Sequence, residues 1–95
     1  IDRQLIREHV REGLDDFRAC YRDASAEGLE GAVPAVLRFT IGGDGGVLDA
    51  EVRIDAVGGE VLGACLEEAL GRLRFPPVPG GGMVRISYPL RFVPS

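Results

Sequence analysis

Five residues, Gly42-Gly43-Asp44-Gly45-Gly46, constrain this chain more than any others. They separate two runs in which apolar and polar residues alternate. Before them, Leu37, Phe39 and Ile41 are interleaved with Arg38 and Thr40. After them, Leu48, Ala50, Val52 and Ile54 are interleaved with Asp49, Glu51, Arg53 and Asp55. A period of two sends successive side chains to opposite faces of a strand. Asp-Gly between two such runs is a hairpin signal, because glycine accepts positive φ without strain. The turn at Gly43, Asp44 and Gly45 therefore joins two antiparallel strands. Each has one apolar face, and something else in the chain must cover it.

Two helical patterns supply that cover. Over residues 3–24, Leu5, Ile6, Val10, Leu14, Phe17, Cys20, Tyr21 and Ala24 recur every three or four positions and form one stripe. Charged residues fill the remaining face, where Glu8–Arg11 and Asp15–Arg18 are spaced to pair. Asp2 suits the helix start and Gly28 its stop. Over residues 60–73, Val61, Leu62, Cys65, Leu66, Ala69, Leu70 and Leu73 make a second stripe. Gly63 and Gly71 are unfavourable inside a helix, so they read as points of close helix-to-helix approach. Phe75-Pro76-Pro77-Val78-Pro79 cannot be helical, and Gly80-Gly81-Gly82 reads as a flexible joint.

The first strand is expected over residues 35–41, with Pro34 at its start because proline lacks a ladder donor. A third strand is expected over residues 83–93. Val84, Ile86, Tyr88, Leu90 and Phe92 face inward, and Arg85, Ser87, Pro89 and Arg91 face the other way. The order α-β-β-α-β predicts an α+β fold of two layers, with both helices on one face of the sheet. A helix that returns the chain along the second strand sets the third strand antiparallel to the first. The three-stranded antiparallel sheet then has the order 2-1-3.

At 95 residues the chain is one domain. Its 45% hydrophobic content argues against disorder, and no run approaches the roughly 20 apolar residues of a membrane helix. The start at Ile1, without methionine, reads as a piece of a longer protein. A net charge of −4 disfavours nucleic acid as a partner, and the absence of lysine excludes Schiff-base and P-loop chemistry.

Candidate chemistry is sparse. His9 is the lone histidine and reads as a partly packed helix residue. Asp15-Asp16 and Glu67-Glu68 are adjacent pairs that diverge by about 100° around a helix, so they read as solvated charge. The glycine runs at 42–46 and 80–82 lack the lysine and following helix of a phosphate loop. Arg38, Arg85 and Arg91 can share the exposed sheet face, but acidic Asp49 and Glu51 stand beside them and no aromatic platform for RNA appears there. No catalytic residue, metal ligand or cofactor is expected, and an enzyme is the weakest reading.

Cys20 and Cys65, 45 positions apart, leave two readings open. One is a pair of buried thiols; the other is a disulfide, which requires Cα atoms within about 7 Å and an oxidising compartment. Both cysteines lie on apolar stripes, so they can meet if both helices cover one sheet face. The sheet edges are the remaining candidate site. The second strand carries alternating charges that discourage pairing. The third contains Pro89, which implies an edge with the proline nitrogen turned away from the sheet. By the two-residue period, Arg85, Ser87 and Arg91 also turn their backbones outward. That edge is either open to a partner strand, with the arginines favouring an acidic one, or merely blunted by the proline.

The chain resembles the TonB C-terminal domain superfamily, in the AgmX/PglI-type form at the C-terminus of myxobacterial gliding-motility proteins. The resemblance runs through Cys20-Tyr21, then Leu37-Arg38-Phe39-Thr40-Ile41-Gly42 leading into Asp44-Gly45 and Val47. It continues through Cys65, Arg72-Leu73-Arg74-Phe75-Pro76-Pro77, Gly80-Gly81-Gly82-Met83-Val84, Tyr88-Pro89-Leu90 and Phe92. It implies a periplasmic domain of an inner-membrane-anchored protein, with a Cys20–Cys65 disulfide. It also implies a protein partner, an extended segment of an outer-membrane or periplasmic component. That segment would be captured as an added strand along Val84, Arg85, Ile86, Ser87, Tyr88, Pro89, Leu90, Arg91 and Phe92. Such domains couple an inner-membrane motor to the outer envelope and need no catalysis. The rival reading is a structural domain that self-associates through the same edge.

Overall fold

The apolar stripes and alternating runs fold as two layers, three helices on one face of a three-stranded sheet. The computed structural model describes residues 3–94; the cap expected at Asp2 lies outside the described residues. In chain order the elements are α1 (Arg3–Glu12), α2 (Leu14–Ala26), β1 (Val33–Ile41), β2 (Val47–Ile54), α3 (Glu60–Gly71) and β3 (Val84–Phe92). The sheet order is β2-β1-β3, and both pairings with the central β1 are antiparallel. The expected α+β class and strand order are those of the structure.

The first helical pattern divides in two, which its periodicity does not signal. The break falls at Gly13, where the Gly13 N–H bonds the Val10 carbonyl three residues back at 3.0 Å. A Cβ at Gly13 would stand 2.9 Å from a Leu73 methyl, so the break also lets the end of the α3 segment approach the backbone. At the other end, α2 closes as its pattern predicts. Gly28 takes φ +111°, its N–H bonds Ser25, and the Leu29 N–H reaches back to Ala24.

Two of the expected glycine roles are corrected. Gly63 is buried but faces Ile54 and Val52 of β2, so it seats α3 on the sheet rather than on another helix. Gly71 has nothing within 4 Å of its would-be Cβ. The α2–α3 contact is instead joined covalently by the Cys20–Cys65 disulfide, whose Cα atoms are 5.7 Å apart. Phe17, Leu37, Leu62, Leu66 and Leu70 fill the fully buried centre around it. Val61, expected on the α3 stripe, is 53% exposed at the rim.

β2 departs from strict alternation. Arg38 faces Glu51, but Thr40 faces Leu48, so Asp49 and Ala50 together oppose Phe39. This is a β-bulge, and Asp49 adopts φ +40° within it. One extra residue flips every side chain beyond it. Val47 therefore packs on the helix side, while Leu48, expected inward, lies on the outer face over Gly42 and is 45% exposed. β1 begins two residues earlier than expected and contains Pro34. The proline nitrogen faces β2 where that strand has ended, so no strand ladder bond is lost. Its carbonyl still accepts from the Asp55 N–H at 3.3 Å.

The glycine turn has a second task. Gly42 N–H bonds Gly46 O at 2.8 Å, Gly45 N–H bonds Gly42 O, and Gly46 N–H bonds the Asp44 carboxylate. Gly45, at φ +90°, lies so close to the Phe75 carbonyl that any Cβ would collide with it. The Phe75 and Val78 N–H groups bond the Gly45 and Gly43 carbonyls. The hairpin tip thus docks the segment that leads to β3. The glycines at 80–82, expected as a flexible joint, follow Pro79 into a tight turn in which Gly80 takes φ +81° and Gly81 N–H bonds Val78 O. Gly81 packs on Gly43 closely enough that a Cβ on Gly43 would meet its carbonyl oxygen at 2.7 Å.

Candidate partner-binding edge

With β1 in the centre, β2 and β3 are the two edges. Register decides which backbone groups each edge turns outward. In an antiparallel ladder, a residue's N–H and C=O point together, toward one neighbour or the other, and the direction alternates along the strand. Val52 lies opposite Leu37, and its N–H leaves the sheet to bond a Glu67 carboxylate oxygen at 3.2 Å. Leu37 therefore directs its own groups to Tyr88 on β3, and its neighbours Val36 and Arg38 direct theirs to β2. It follows that Pro89, Ser87, Arg85 and Arg91, which face Val36, Arg38, Thr40 and Pro34, all turn their backbones away from the sheet. The absent N–H of Pro89 falls on this outward side and costs the sheet nothing.

The side chains of β3 divide as expected. Val84, Ile86, Tyr88 and Leu90 are half-buried on the helix side, and Phe92 is buried with its ring stacked 5.2 Å from Tyr21. Tyr21 in turn donates to the Gly31 carbonyl at 2.7 Å, which holds the aromatic pair in place. Arg85, Ser87, Pro89 and Arg91 are exposed on the other face. Among the described residues, no hydrogen bond reaches the outward N–H groups of Arg85, Ser87 or Arg91.

β2 is the more obstructed edge. Beyond the Glu67 bond, α3 lies against it, and the bulge at Asp49 twists its first half out of regular pairing. Glu67 was expected to be solvated charge; it is half-buried and serves as an edge cap. No local signal in the sequence could have identified it, because the bond joins residues 15 apart through tertiary packing. Its neighbour Glu68 is exposed and pairs with Arg72 at 3.3 Å, and Asp15 lies 4.0 Å from Arg18. The expected Glu8–Arg11 pair is not formed among the described residues.

Elsewhere the candidates are dispersed. The His9 Nδ1 lies 2.8 Å from the Leu5 carbonyl, which can only accept, so this nitrogen carries the proton. The His9 ring packs 5.6 Å from Phe75. Gly43, Asp44 and Gly45 lie at the hairpin tip, bonded to the segment before β3. Among the described residues, no group of three or more His, Cys, Asp or Glu is placed to hold a metal ion. No helix among them is long and apolar enough to cross a membrane. Comparison of the chain with protein-family models, curated proteins and solved structures returns no match.

Proposed function

We propose that this domain is a non-enzymatic binding module that takes an extended segment of a partner protein as a fourth strand along β3. One observation carries this reading: the two edges differ, with the Val52 N–H of β2 capped by Glu67 and its pairing broken by the bulge, while the outward N–H groups of β3 meet no partner among the described residues. Backbone pairing supplies affinity in strand addition, and the side chains beside the edge supply choice. Arg85 and Arg91 flank the outward groups and favour an acidic segment.

The resemblance to TonB C-terminal domains supports the same use. On that basis the domain belongs to the periplasmic end of an inner-membrane-anchored protein in an energy-transducing or gliding-motility complex, coupled to an outer-membrane or periplasmic partner. The Cys20–Cys65 disulfide is compatible with such an oxidising compartment. Titration of ¹⁵N-labelled protein with candidate outer-membrane segments tests the proposal. Amide shifts are expected at residues 84–92; shifts confined to the helices, with β3 silent, overturn it. Sedimentation at rising concentration separates this from self-pairing through β3, which would bring Arg85 and Arg91 of two copies together and is disfavoured by their charge.

A further inference from the structure

The space beside the β3 edge is a groove with a definite charge. A cavity of about 590 Å³ lies between α1 and β3, lined by Arg3, Ile6, Arg7 and Arg11 from the helix and by residues 85–89 from the strand. Four of the eleven arginines of a chain with net charge −4 meet here, and no carboxylate lines the space. Among the described residues, the ion pairs are Asp15–Arg18 and Glu68–Arg72, so these four arginines are unpaired there. Sequence periodicity assigns Arg3, Arg7 and Arg11 to a solvated helix face. The fold turns that face toward the open edge.

Resting on the strand-addition reading, we propose that the groove selects an extended partner with acidic residues at every second position. The spacing supports this. Residues four apart on a helix advance about 6 Å along its axis. Alternate residues of a strand, which share a face, are about 6.7 Å apart. A fourth strand on β3 would present a row of carboxylates at nearly the interval of Arg3, Arg7 and Arg11. The lengths agree as well: α1 rises about 12 Å from Arg3 to Arg11, and residues 85–89 of β3 span about 13 Å. Ile6, Ile86 and Tyr88 form an apolar floor, which suits the stems of glutamate better than a phosphate backbone. The α1 arginines thus read the side-chain row facing the helices, while Arg85 adds positive charge at the rim of the groove from the other face of β3.

The test uses two peptides, Thr-Glu-Thr-Glu-Thr-Glu-Thr and the same sequence with Gln for Glu, titrated into ¹⁵N-labelled domain. The acidic peptide is expected to shift the amides of residues 85–91 and to bind at least tenfold more tightly than the Gln peptide, with the difference collapsing at about 0.5 M salt. The triple variant R3Q/R7Q/R11Q is expected to lose about tenfold of that affinity, since exposed pairs each contribute modestly. A charge-matched control, R18Q/R22Q/R72Q, removes three exposed arginines outside the groove and should change it less than threefold. Equal binding of the two peptides, with β3 amides shifting in both cases, overturns the acidic-row inference and leaves strand addition standing. So does equal loss in the two triple variants. Acidic-peptide binding that depends on α1 but leaves the β3 amides silent overturns strand addition and, with it, the alternating register proposed here. Tighter binding of an oligothymidylate or of phosphatidylglycerol vesicles than of the acidic peptide overturns the choice of a peptide partner.

Discussion

The two edges of this sheet begin from similar sequences and end in different states. Both strands alternate strictly, and both carry charge on the face away from the helices. β2 is followed directly by α3, which folds back along it and supplies Glu67 to its one characterised outward N–H. At β3, by contrast, no hydrogen bond among the described residues reaches the outward N–H groups of Arg85, Ser87 or Arg91. The comparison teaches that an edge is closed by what packs against it in the fold, more than by the residues of the strand itself. Charge on the outer face alone, present on both strands, does not distinguish them.

That comparison can be broken most forcefully at the disulfide, because Cys65 fastens α3, the cover of β2, to α2. Replacing both cysteines, C20A/C65A, removes a cross-link over 45 residues and should cost about 3–4 kcal/mol in the loop-entropy account. Urea denaturation would measure it, and hydrogen exchange should show Val52 losing protection as α3 loosens. A loss under about 1 kcal/mol would mean that packing alone holds the cover in place.

A narrower change acts on the cap itself. Glu67→Ala leaves the Val52 N–H without its acceptor and should cost about 1–2 kcal/mol, with faster exchange at that amide. Unchanged exchange would remove Glu67 from the account of the closed edge. On the open side, Ser87→Pro deletes an outward donor without touching the β1–β3 ladder. Stability should hold, while affinity for a captured strand falls by about fivefold, the equivalent of one hydrogen bond. Calorimetry with the acidic peptide would show it, and unaltered affinity would place the contact elsewhere. The smallest effect is expected from Pro89→Thr, which restores a donor on that side. Binding should strengthen by less than about fivefold, and the variant should sediment with a larger self-associated fraction. No change in either would mean that Pro89 does not limit pairing.

The sequence carried the sheet legibly because its signals there are local. Alternation, an Asp-Gly turn and a strand proline each report on a few neighbouring residues, and together they gave the α+β class, the strand order and the outward set on β3. The helical stripe at 3–24 was legible as a face but not as two helices. Gly13 breaks it in the structure where a Leu73 methyl crowds the backbone, a neighbour 60 positions away in the chain. The bulge at Asp49 was hidden for a related reason: a strand one residue too long for its partner still alternates perfectly on paper. Only the register against β1 reveals that Leu48 and Val47 have exchanged faces. The candidate edge could be named from Pro89, whereas its closed counterpart could not, since Glu67 reaches Val52 only after α3 has docked.

The bond between Cys20 and Cys65 also divides the chain topologically. It closes a covalent ring that contains the second half of α2, all of β1 and β2, and the first half of α3. Outside the ring lie α1 with the first half of α2 on one side, and the second half of α3 with the segment leading into β3 on the other; α1 and β3 are the two segments that line the arginine groove. A pull on β3 meets the ring as a stop: the segment between the cysteines, 45 positions apart, cannot be drawn out while the bond holds.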